Sequence, residues 1–94
     1  MIIYRAMCKE EWYKTEQRGS PDFHKRYKWF SPSLDWIHYR VRDGKFNNSR
    51  FKQGAYDYVA AFDWDGEKLD RATTNELQFD RRRNPNIKLI GLVT

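Results

Sequence analysis

The stretch AYDYVAAFDW, residues 55–64, constrains the fold more than any other part of the sequence. Tyr56, Tyr58, Ala60, Phe62 and Trp64 recur at every second position, the period of a β-strand with one apolar face. That face must be covered by another layer. With 94 residues the chain reads as a single domain, 1–94. A domain this small buries only roughly 60–65% of its unfolded surface. The core is therefore limited, and the six Phe, six Tyr and four Trp supply apolar area that Leu, Ile and Val do not.

Other elements are legible around that strand. MIIYRA, 1–6, has strand propensity. CKEEWYKTEQR, 8–18, reads as a helix with Cys8, Trp12 and Thr15 on one face, stopped by Gly19. GSPDFHKR, 19–26, is turn-rich, and YKWF, 27–30, is a short strand. In SPSLDWIHYRVRDG, Ser31 is the expected N-cap and Pro32 the first helical residue. Asp35 sits in the first turn, where the helix dipole favours a carboxylate. Leu34, Ile37, His38 and Val41 form the expected apolar face, and Gly44 the stop. KFNNSRFKQ, 45–53, reads as an exposed loop. Asp65-Gly66 signals a hairpin that returns along EKLDRA, 67–72. ELQF, 76–79, is a further strand, RRRNPN a turn, and IKLIGLV, 87–93, a final buried strand. The order predicts an α+β domain with two short, mainly antiparallel sheets and two helices.

Net charge is +5 and uneven. Residues 54–76 are acidic, while the rest of the chain is basic. Such a balance suits an anionic ligand or partner. The single cysteine excludes a disulfide framework, and two isolated His give no metal-ligand spacing, so no metal is expected. No apolar run is long enough to span a membrane. The N-terminal stretch does not read as a signal peptide, and a reducing, cytoplasmic location is expected.

Three pieces of this order resemble the ADP-ribosyltransferase fold. A leading strand carries an arginine, Ile3-Tyr4-Arg5-Ala6. An aromatic strand runs into a hydroxyl triplet and a helix, Trp29-Phe30-Ser31-Pro32-Ser33. A late strand opens with a glutamate, Asn75-Glu76-Leu77-Gln78-Phe79, and is followed by the turn Asn84-Pro85-Asn86 and a final apolar strand. Together they are similar to the Arg–Ser–Glu class of NAD-dependent ADP-ribosyltransferases. Two residues before Glu76, where that class usually has Glu or Gln, this chain has Thr74. The middle of its triplet is Pro32.

The resemblance implies NAD as substrate, with ADP-ribose transferred to a macromolecular acceptor. It implies catalytic roles for Glu76, Arg5 and Ser31. Glu76 would stabilise an oxocarbenium-like ribose through its 2′-hydroxyl. Arg5 would hold the pyrophosphate or the adjoining ribose. Ser31 and Ser33 would hold Glu76 or the ribose, and Tyr27, Trp29 or Tyr56 would stack on the nicotinamide. Beside this stand two other functional classes. A small basic nucleic-acid binder would use Arg81, Arg82, Arg83, Lys45, Arg50 and Lys52 on phosphates. Tyr27, Trp29, Phe30, Phe46 and Phe51 would then stack on bases. A phage-type inhibitory protein would bind a host protein through a charged face without catalysis.

Overall fold

The computed structural model describes residues 1–42 and 56–93. Its elements are β1 (Ile2–Met7), α1 (Lys9–Arg18), β2 (Tyr27–Phe30), α2 (Leu34–Arg42), β3 (Tyr58–Trp64), β4 (Arg71–Ala72), β5 (Leu77–Asp80), a short 3-10 turn (Arg81–Arg83) and β6 (Ile87–Leu92). The fold is α+β, as the sequence predicts. One sheet has the order β1-β3-β6 and the other β2-β5-β4, and every pairing is antiparallel. The sheets meet at a bridge between Tyr4 and Ser31. There Tyr4 N donates to Ser31 O at 2.7 Å and Ser31 N to Tyr4 O at 2.9 Å.

Strand alternation sorts the side chains. In β1, Ile3, Arg5 and Met7 share the face turned to the main core. That core joins Ile3, Met7, Trp12, Phe30, Phe62, Trp64, Phe79 and Ile87. Phe30 meets Phe62 and Phe79 edge-on, at centroid distances of 5.2 and 5.5 Å. On the opposite face of β1 and β3, Ala6 and Val59 pack under α2 through Ile37, with Leu34 and Val41 beside them. The helix α1 buries Glu11, Trp12 and Thr15, and its C-cap Gly19 adopts the left-handed conformation at φ 69°.

Several expectations change. The cap of α2 is Ser33, not Ser31: Ser33 Oγ accepts from Trp36 N at 3.2 Å, and Ser33 O accepts from Ile37 N at 3.2 Å. Ser31 cannot serve there because both its backbone groups are spent on Tyr4. His38 is exposed and does not join the apolar face of α2. The Asp65-Gly66 turn forms, with Gly66 at φ 85° and Asp65 Oδ1 accepting from Glu67 N at 3.0 Å. No hairpin partner follows, because β1 and β6 already occupy both edges of β3. The chain instead crosses to the second sheet, where Arg71–Ala72 pairs with β5. The last strand lies at a sheet edge, with Ile90 56% and Leu92 45% exposed. A bulge opposite Ala61 and Phe62 skips Ile90 in the register. The expected loop at 45–53 and the stop at Gly44 lie outside the described residues. Among the described residues no helix is long and apolar enough to cross a membrane.

Candidate functional site

The pairing registers bring the three sequence-predicted residues together. In the β2–β5 pair, Phe30 faces Leu77. One step further along both strands sets Glu76 across from Ser31. Ser31 in turn faces Tyr4, the neighbour of Arg5. Arg5, Ser31 and Glu76 accordingly line one cleft of about 290 Å³ at the split between the sheets. Ala6, Trp29, Phe30, Trp36, Ile37, Arg40 and Tyr56 complete its walls. The volume lies near the lower end of the small-molecule range.

Each of the three arrives differently prepared. Glu76 is half-buried, and its backbone carbonyl accepts from Thr73 N at 2.8 Å, which fixes the entry to β5. Among the described residues its carboxylate has no hydrogen-bond or ion-pair partner. Ser31 is fully buried. Its hydroxyl accepts from Ser33 N at 3.0 Å and donates to Ser33 O at 3.2 Å, which leaves one lone pair. Arg5 is held on three nitrogens. Nε donates to Glu11 Oε2 at 2.6 Å, Nη2 to Glu11 Oε1 at 3.0 Å and Nη1 to Trp29 O at 2.7 Å. A guanidinium carries five N–H donors, so one remains on each terminal nitrogen. Its Cζ also sits 5.8 Å from the Phe30 ring centroid.

Behind Arg5 lies a charged cluster that no sequence motif marks. Lys28 Nζ donates to Glu11 Oε2 at 3.0 Å, and the Lys28 side chain is only 2% exposed. Burial pushes the Glu11 carboxyl up, but Arg5 and Lys28 outweigh it and bring it down to about 2. For Lys28, burial and then the Arg5 charge win against Glu11 and lower the ammonium to about 8. A signal was present in the strands. Arg5 falls on the same row as Ile3 and Met7, and Lys28 on the same row as Phe30. A cation in an inward row must find an anion. Glu11, one position before the buried Trp12, is that anion. Burial also pushes the Tyr56 hydroxyl up. No sequence signal places Trp36 and Arg40, on α2, in the cleft wall either; among the described residues Trp36 Nε1 is buried with no hydrogen-bond partner.

Two of the proposed ligand contacts lie elsewhere. Tyr27, at the far end of β2 from Ser31 and opposite Asp80, is absent from the cleft wall. It lines a second cavity, with Lys14, Asp22 and His24, that shares Arg5 and Tyr56 with the first. Its ring stands under Arg26, at 4.9 Å from Cζ to centroid. Ser33 caps α2 and is absent from the cleft wall. Of the three aromatics expected to stack, Trp29 and Tyr56 are in the wall. The Arg81–Arg83 turn is exposed, but two of its guanidinia are engaged. Arg81 Nη1 donates to Phe23 O at 3.3 Å and Arg83 Nη1 to Leu69 O at 2.7 Å. Lys45, Arg50 and Lys52, with Phe46 and Phe51, lie outside the described residues.

Compared with protein-family models, curated proteins and solved structures, the chain finds no match. What is established is the class: an α+β domain of two three-stranded antiparallel sheets with two helices.

Proposed function

We propose that this protein binds NAD and transfers ADP-ribose to a macromolecular acceptor, in the manner of the Arg–Ser–Glu class it resembles. One observation carries the reading. Arg5, Ser31 and Glu76, distant in sequence, line a single cleft, and its carboxylate has no protein partner among the described residues. A carboxylate of that kind suits a site where positive charge develops. In the reaction the bond between ribose C1′ and the nicotinamide nitrogen breaks. Nicotinamide leaves with the electron pair, as a neutral molecule. Glu76 accepts a hydrogen bond from the ribose 2′-hydroxyl and stabilises the oxocarbenium-like ribose. An acceptor nucleophile then bonds to C1′ and gives up its proton.

Arg5 offers its two remaining N–H groups to the pyrophosphate, a charge-assisted contact. The cleft has room for the nicotinamide–ribose end, with Trp29, Trp36 and Tyr56 as stacking candidates and the adenosine end outside. Ser31 serves mainly as the joint that sets Arg5 opposite Glu76. The test is calorimetry with NAD, followed by transfer of labelled ADP-ribose to a cell lysate. Binding and labelling by the wild type, with labelling lost in Glu76→Ala, is the expected result. No NAD binding, or equal labelling by Glu76→Ala, would remove the reading.

A further inference from the structure

An arginine on a strand has a long, rotamer-rich side chain that loses entropy whenever it is fixed. Arg5 is fixed before any ligand arrives. Glu11 takes two of its nitrogens in a fork, and the Trp29 carbonyl takes the third. Glu11 is itself held: it comes from the first turn of α1, is 9% exposed, and receives Lys28 on the oxygen that also bonds Arg5 Nε. Arg5, Glu11 and Lys28 together carry one net positive charge. A lone Arg5–Glu11 pair would be neutral and a poor host for an anion. Lys28 therefore restores the charge that Glu11 cancels, and it does so from a position closed to solvent.

We propose that Glu11, braced by Lys28, is a positioning residue. It holds the Arg5 guanidinium in the cleft wall with two N–H groups presented to a bound anion. Only the identity of that anion, the pyrophosphate of NAD, rests on the proposed function.

Electrostatics and positioning predict opposite outcomes for Glu11→Gln. By charge alone, removing the carboxylate never lowers the net charge of the cluster, whether or not Lys28 keeps its proton, so anion binding holds or tightens. By positioning, the guanidinium loses its fork and binding weakens, by about tenfold for one charge-assisted contact. The experiment is NMR of the full chain with inorganic pyrophosphate as probe, reading the Arg5 Nε–H signal and the dissociation constant. In the wild type the Arg5 Nε–H is expected to exchange slowly with solvent, and pyrophosphate is expected to bind. In Glu11→Gln the exchange accelerates and affinity falls by about tenfold, with the backbone spectrum retained. If that variant does not fold, Glu11→Gln/Lys28→Met removes the second unpaired cation and carries the same Arg5 Nε–H exchange reading, judged against Lys28→Met alone. An Arg5 signal as protected in the variant as in its parent overturns the proposal, as does affinity that is unchanged or higher. Absence of pyrophosphate binding by the wild type also overturns it. If pyrophosphate binds as expected and NAD does not, the NAD reading falls while the positioning role of Glu11 stands.

Discussion

Replacing Lys28 with methionine is expected to stabilise the protein, although Lys28 forms a buried ion pair. Removing one member of such a pair usually strands the other charge at a cost of about 3–5 kcal/mol. Here Glu11 is not stranded, because Arg5 keeps both its oxygens. What disappears is a desolvated ammonium. Its pKa falls from the 10.5 of a solvated lysine to about 8, a difference worth about 3 kcal/mol. Between those values the unfolded chain holds a proton that the folded chain has lost, so stability rises with pH through that window. Below it, the folded protein carries the full cost of the buried charge. Methionine fills a similar volume with no charge, so Lys28→Met should gain about 2 kcal/mol at pH 7. Urea unfolding of both proteins at pH 7 and pH 10 measures this. The variant's advantage should shrink by about 2 kcal/mol at the higher pH, where wild-type Lys28 is largely neutral. A variant less stable than wild type at pH 7, or an advantage equal at both pH values, would show that the ammonium is not penalised by burial.

Two further outcomes follow from local geometry. Glu11 has a folded pKa of about 2, below its ordinary 4.5. Its contribution, about 3 kcal/mol, is present above pH 4.5 and is lost as pH falls towards 2; Glu11→Gln should lack this part of the acid-unfolding profile measured by circular dichroism. Ser33→Ala removes the α2 cap and should cost about 1 kcal/mol in urea unfolding; under the proposed function it should leave NAD affinity within twofold, about 0.4 kcal/mol, because Ser33 lies outside the cleft wall.

The elements were legible where local chemistry decides them. Gly19 ends α1 because its left-handed backbone suits glycine, and the alternation in 58–64 marks β3 whatever surrounds it. Pairing was less legible. Asp65-Gly66 signals a hairpin, and only its turn forms; no local signal says that both edges of β3 will be taken by strands from the two ends of the described chain. The capping serine was ambiguous because Ser31 and Ser33 are equivalent in sequence; the bridge to Tyr4 separates them. The apolar character of IKLIGLV does not reveal that its strand lies at an edge. For the site, Arg5, Ser31 and Glu76 were legible as a pattern, while their meeting depends on two registers fixed far apart in sequence. Glu11 and Lys28 escaped notice because charged residues are ordinarily read as solvated. Only the inward rows of β1 and β2 mark them as a pair.

The pairing order has a kinetic consequence. Ile2 pairs with Asp63, and Tyr27 with Asp80. The first strand of each sheet thus waits for a partner made much later. Folding dominated by such non-local contacts is slow for a chain of this size, in the range of milliseconds to seconds. Until β3 is available, β1 has no central strand to pair with, and Arg5, Glu11 and Lys28 can remain hydrated. Their desolvation then coincides with sheet closure, so the charged cluster should act on the folding barrier as well as on the native state.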